Sequence, residues 1–440
     1  MPVLGRDDDA DDLGSAESSW AEPSTLLGMI QRGRGACYGA AHAERAMAGD
    51  FVVDCIVHDP RWDHQVEERS WLYATLVVDL RVDLSRLRAA FAGPLDASGD
   101  TDTWLATGVF ERLAHRGVGG SVTELRHYLR SGRDLEQVLG SLIPFIDHPE
   151  AEGLLDDVLE VADDEQLQST IGWLGNLSAP PWPDWRRASA RIERVAAAAA
   201  GSRSAGSRPK FDRATRSAAH RERVLRAAIE SGLITAISGP ELTDERWETT
   251  LLGIASDMLQ SEDRRVRIAV RRCLRNLRSP RALAWARANT ALDGYAGSVA
   301  LSLIADIAET SDAPWLLELL VEAVARGNGY LYEQCDLVDG LARLGNVVSI
   351  ATVEEIFDNT VYSRLRERCA AALSSLAADF ADERAVECLD DCESETRAIA
   401  IAHANMLVPE VRERIGRIAD DLTEEDTNRR AATTRIMLHR

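Results

Sequence analysis

Apolar residues in the second half of the chain recur at helical spacing, in paired runs separated by short polar breaks. Val266, Ala269, Val270, Cys273, Leu274 and Leu277 fall on one helical face, Ser279-Pro280 interrupts them, and Leu283 and Trp285 begin a second run. The skeleton returns at Ala300, Leu303, Ile304 and Ile307 before Asp312-Ala313-Pro314, and at Leu337, Leu341 and Leu344. It returns again at Leu365, Cys369, Leu373 and Leu376 before Asp382 and Val386, then at Arg397, Ile401 and Leu407. A unit repeating every ~30–37 residues predicts a stack of helix pairs, each burying its apolar face against its neighbours. Leu274, Leu277, Leu373 and Leu376 are its predicted core.

The first half follows the outline less regularly. Val52, Val53, Ile56 and Val57 predict a short helix ending at His58-Asp59-Pro60; Asp63 then caps a helix carrying Val66, Trp71, Leu72, Leu76 and Leu80. Further pairs are predicted around Trp104–Leu113 and Val122–Leu129, and around Leu135–Ile143 and Leu154–Leu159, with a last helix through Leu167, Ile171 and Leu174. Residues 1–22, with seven acids and few apolar side chains, are expected to form a disordered acidic tail. Residues 23–180 form an N-terminal block of irregular helical repeats. Ala179-Pro180-Pro181-Trp182-Pro183 breaks the run, and a basic Gly/Ser/Arg linker extends to residue 220 before a C-terminal repeat block at 221–440.

Composition narrows the class. The 440 residues are 45% hydrophobic and only 5% aromatic, which suits close-packed helices better than a large sheet. The formal net charge of −22 argues against a surface made throughout for phosphate backbones. Seven scattered cysteines sit in apolar helical pattern and are expected as buried reduced thiols of a cytoplasmic protein. No run approaches the ~18 apolar residues of a membrane span, so no membrane partner is expected.

The unit resembles HEAT repeats. Its apolar-Arg pairs are Val266-Arg267 and Leu365-Arg366, weakened to Thr396-Arg397, and its turns are Ser279-Pro280-Arg281-Ala282 and Asp382-Glu383-Arg384-Ala385. The resemblance covers about 245–420 well and 24–178 in outline only. It implies an all-α, HEAT-like α-solenoid whose concave face binds a protein partner. For Arg267, Arg366 and Arg397 it implies a structural role, pairing with an acid of the neighbouring unit.

Candidate chemistry is sparse. Arg32-Gly33-Arg34-Gly35 could hold a phosphate, since glycines expose amides and Arg32 and Arg34 offer forked donors; a solvated helix-end turn is the plainer alternative. Arg203, Arg208, Lys210, Arg213 and Arg216 lie in the basic stretch 186–226, which could grip nucleic acid by counterion release, or serve as a linker or pair with acids. Arg61 with Trp62, and Trp182 with Trp185, could anchor a partner or pack between repeats. Cys55, His58, Asp59, Asp63 and His64 lack the spacing of a closed zinc site, and no metal or cofactor is expected. No nucleophile or metalloprotease motif supports catalysis. The expected function is a non-catalytic scaffold or adaptor for a protein, the alternative a glycosylase-like or accessory nucleic-acid binder.

Overall fold

The computed structural model describes residues 20–91, 103–174, 176–206, 213–231, 233, 244–291 and 294–439. Local rules explain where its helices begin. Ser279 accepts a hydrogen bond from the Ala282 amide at 3.1 Å and Pro280 occupies the first turn, where its missing N–H costs nothing, so Pro280–Ala288 starts at the sequence break. Asp263 caps Arg264–Leu274 through the Arg265 amide at 2.8 Å, and Thr25 caps Leu26–Arg32 through Gly28 at 3.1 Å. Among the described residues there are 24 α-helices, short 3-10 turns and no strand. None of these helices is long and apolar enough to cross a membrane.

The helices pack mainly on those one or two places along the chain. In the C-terminal half the first helices of successive pairs start at Arg264, Tyr295, Leu331, Ser363, Ser394 and Asp426, 31 to 36 residues apart. Leu274 and Leu373 are fully buried. Leu277 and Leu376 are half-buried instead, because Arg264–Leu274 ends before Leu277 and Leu376 is the last residue of Ser363–Leu376. Leu274→Ala is therefore expected to cost about 2–5 kcal/mol, and Leu277→Ala clearly less, in urea denaturation.

The chain forms two compact units. One comprises the described residues of Pro209–Asn359 and Ala371–Ala378; the other comprises those of Trp20–Arg208, Thr360–Ala370 and Asp379–Arg440. The expected C-terminal block at 221–440 is shared between these two units. The last 62 residues belong with the N-terminal helices, because buried charges of 387–393 find their partners there: Arg34 on Glu387, the Glu68 amide on Glu393. In the first unit, Val224, Trp247, Leu251, Val266, Val270 and Leu274 share one core. In the second, a continuous core runs from Ile30 to Ala199 and takes in Cys392.

Three further expectations change. The helix after Asp63 is Ser70–Leu80, seven residues later than its proposed cap, since Asp63 accepts from the Gln65 amide at 3.0 Å and closes only a turn. The end of the expected acidic tail is held in place: the Trp20 indole donates to the Pro60 carbonyl at 3.2 Å and the Ala21 amide to Gln31 at 2.8 Å, while 1–19 lie outside the described residues. The expected linker is in part helical. Helices Ala190–Gly206 and Arg213–Glu230 extend into it, leaving 207–212 outside the described residues.

Candidate functional site

The second unit is organised by charge buried between segments far apart in sequence. Helix Leu26–Arg32 ends at Gly33, whose left-handed φ of 67° turns the chain toward residues 387–392. A Cβ on Gly33 would lie 2.5 Å from Cys392 Sγ, and one on Gly35 would lie 2.0 Å from the Glu387 carbonyl oxygen. The glycines are thus required by close approach of another segment rather than by an anion. The Cys392 amide and the Arg366 guanidinium both donate to the Gly33 carbonyl, at 3.1 and 3.2 Å. Gly35→Ala is expected to destabilise this unit by about 1–3 kcal/mol through overpacking, whereas Gly39→Ala, with nothing within 4 Å, should be neutral or stabilising in the same melts.

The arginines predicted to hold a phosphate face inward. Arg34 makes a forked pair with Glu387 at 2.9 and 3.1 Å, and Arg32 donates to the carbonyls of Ala21 and Gly28 at 2.8 and 3.0 Å. Burial, with Arg366, Arg34 and Arg69 nearby, pushes the Arg32 pKa down to about 10. Arg366 is fully buried and grips Asp391 at 2.7 and 3.3 Å. Arg397 grips Glu424 at 2.5 and 2.9 Å, donates to the carbonyls of Asp391 and Cys392, and lies 3.9 Å over the Trp71 ring. Arg267 differs: half-buried, it donates to the Ser261 and Glu262 carbonyls.

Sequence reasoning passed over the charged run Glu67-Glu68-Arg69, which is the centre of this arrangement. Glu67 accepts from the amides of Trp62, Asp63 and Ser363 at 2.6–2.8 Å, from Arg69 at 2.9 Å and from the Ser363 hydroxyl at 2.7 Å. Burial opposes its ionisation, but Arg69 and these donors outweigh burial and hold the carboxyl below its ordinary value. Ser363 Oγ also touches Glu393 Oε1, which accepts from the Glu68 amide at 3.0 Å. A hydroxyl has one hydrogen, so one of its two carboxylate contacts needs a proton on the carboxyl. With Glu67 held by so many donors, that proton belongs on Glu393, whose pKa burial raises to about 7.

Beside this cluster opens a cleft of about 470 Å³. One wall is the face of helix Trp104–His115 carrying Trp104, Gly108, Glu111 and His115. The other is the loop of Arg61, His64 and Gln65, closed by Arg364, Leu422 and Thr423. Arg112 ties the walls together, donating to Ser70 Oγ at 2.7 Å, to the Thr423 carbonyl at 2.5 Å and to Glu68 at 3.4 Å. Burial opposes ionisation of Glu68, yet Arg112 and Ser70 outweigh it and keep this carboxyl low. Glu111 is the reverse case: burial raises its pKa, offset in part by the Ser141 hydroxyl at 2.8 Å, His115 and Arg112. Two carboxyls shifted in opposite directions across a cleft make it the candidate site of this unit.

The remaining candidates are placed as follows. Arg61 lines the cleft but is buried, its guanidinium on Asp59 and on the carbonyls of His64 and Glu67. Trp62 packs on Tyr362 with ring centroids 4.9 Å apart. Trp182 and Trp185 are buried against each other, edge to face. Arg186 lies on Glu193, and Arg191 and Arg194 on Asp164, so much of the basic stretch meets acids. Arg203, Arg213 and Arg216 sit in helices whose side chains there lie outside the described residues, as do Arg208 and Lys210 altogether. Of the sequence's metal-type residues, Cys55 is in the core and His58 lies 3.0 Å from Asp54. Cys335 is half-buried and the other six cysteines are buried. No family model, curated protein or solved structure matches the chain.

Proposed function

We propose that the chain is a HEAT-like α-solenoid scaffold that binds a protein partner through the cleft of its second unit. The observation that carries this reading is the regular return of helix starts at 31 to 36 residues, with most helices packed on near neighbours in sequence, which is how repeat proteins build extended binding surfaces. Supporting it, Trp104, Trp173 and Leu422 are 55%, 53% and 68% exposed, an unusual apolar display for a chain so rich in charge. The nucleic-acid alternative draws less support, because Arg186, Arg191 and Arg194 already meet carboxylates.

The test is affinity capture by the full chain from native lysate, with and without nuclease, compared with Trp104→Ala. A protein captured independently of nuclease and lost with Trp104→Ala is the expected result. Capture abolished by nuclease, together with binding to homopolymeric DNA that weakens steeply with salt, would replace this reading with the nucleic-acid one.

A further inference from the structure

We propose that the cleft of the second unit receives a cationic side chain, an arginine or lysine carried on the partner's polypeptide, seated against Glu111 and covered by the indole of Trp104. The inference rests on the scaffold reading above and names the chemistry of the contact.

Charge comes first. The guanidinia lining the cleft already have partners: Arg112 on Glu68 and Ser70, Arg61 on Asp59, and Arg364 on the Val66 carbonyl and within 3.3 Å of Glu367, Glu393 and Glu395. They therefore add structure without adding surplus positive charge. Glu111 is different. It lines the cleft half-buried, accepts from the neutral Ser141 hydroxyl at 2.8 Å, and among the described residues no ion pair reaches it. Burial penalises the carboxylate, with Ser141, His115 and Arg112 offsetting it only in part, and an incoming cation in direct contact would relieve the rest while losing little of its own solvation against a π face.

Geometry agrees. Trp104 and Glu111 stand two turns apart on one helix face, with Gly108 between them letting Ser70 approach the helix. Gly108 is constrained to be small, since a Cβ there would lie 3.2 Å from Ser70 Cβ on the opposite wall. Trp104 is steadied edge-on by Trp173, at 6.4 Å and 85°, yet remains 55% exposed. Both side chains line the same cleft, and Gln137, also in its lining, offers an amide acceptor. The occupant is a polypeptide rather than a small cation because exposed Leu422 and Trp173 flank the cleft and need a neighbouring apolar residue to cover them.

The experiment titrates the full chain with acetyl-Leu-Arg-Leu-amide and follows the Trp104 indole signal by NMR, assigned with Trp104→Phe. A saturable shift is expected at concentrations up to about 10 mM, the range in which one charged contact registers. The citrulline analogue and Glu111→Gln should each weaken binding at least about tenfold, as expected when a charged partner is removed. Glu111→Gln keeps an acceptor for Ser141, and a melt unchanged from wild type confirms that it folds; Trp104→Ala, at an exposed position, is the second variant. No shift of Trp104, or equal binding of arginine and citrulline peptides, would overturn the proposal. Equal binding of free arginine amide and the peptide would also overturn it, by making the cleft a small-cation site. A captured partner that Glu111→Gln still retains would sink the cation contact while leaving the scaffold reading intact.

Discussion

Arg366→Ala is expected to lower the stability of the unit built from residues 20–208, 360–370 and 379–440 by about 3–5 kcal/mol, the largest effect of any single arginine considered above. Arg366 is fully buried, and so is its partner Asp391. Deleting the guanidinium leaves that carboxylate with the Glu393 amide at 3.0 Å as its remaining donor, and strips the Gly33 carbonyl of one of its two donors. The cost is the desolvation of an uncompensated charge rather than the worth of the pair itself. Arg267→Ala is the comparison. Its guanidinium is half-buried and bonds two carbonyls at 2.8 and 3.3 Å, so about 1 kcal/mol is expected. With two compact units the chain need not unfold in one step, so the measurement is urea unfolding followed by two probes, with the losses assigned to separate transitions. Equal, small losses for both variants would mean that Arg366 is solvated in solution.

The second large effect is on pH dependence and comes from Glu393. Its folded-state pKa of about 7 lies above the ordinary 4.5, so the folded protein holds a proton that the unfolded chain releases. The stabilisation is fully present below pH 4.5 and is lost as pH rises through about 7. The groups around it are Glu67, Glu68 and Arg69 from the N-terminal side, Ser363, Arg364 and Arg366 from the central helix, and Asp391, Cys392 and Arg397 nearby in sequence. Glu393→Gln removes the titration, and because the Glu68 amide and the Ser363 hydroxyl both meet Oε1, its side chain keeps an oxygen for both donors but supplies no proton to Ser363 Oγ. The stability difference between wild type and variant should therefore shift by on the order of 3 kcal/mol in the variant's favour between pH 4.5 and pH 8. Asp390, raised to about 6 by burial, acts in the same direction in both proteins and cancels in the comparison. A constant difference across pH 4.5–8 would place the Ser363 proton elsewhere.

Much of the secondary structure was legible because its causes are local. Ser279-Pro280 starts a helix by supplying an acceptor and doing without a donor, and the apolar spacing around Val266 and Leu274 selects the face that is buried. The repeat interval could be counted from the same pattern. The first helix after Asp63 was misplaced for an equally physical reason: the 61–69 loop spends its carboxylates on neighbouring amides and arginines, and an Asp that caps a turn looks the same in sequence as one that caps a helix.

The site was not legible. Arg32-Gly33-Arg34-Gly35 has the residue types of an anion loop, and only the approach of 387–392 shows that its glycines make room for backbone and its arginines for Glu387. Glu67, Arg69, Ser363 and Glu393 are ordinary polar letters, separated by up to 326 positions, and their burial follows from packing that no local pattern encodes. By itself the sequence determined the helices, their pairing and their interval, because hydrogen bonding and amphipathic spacing act over a few residues. Tertiary structure alone decided that 379–440 closes on the N-terminal helices, which arginines lose their water, and where the cleft opens, because charge burial depends on which distant segment arrives to supply the partner.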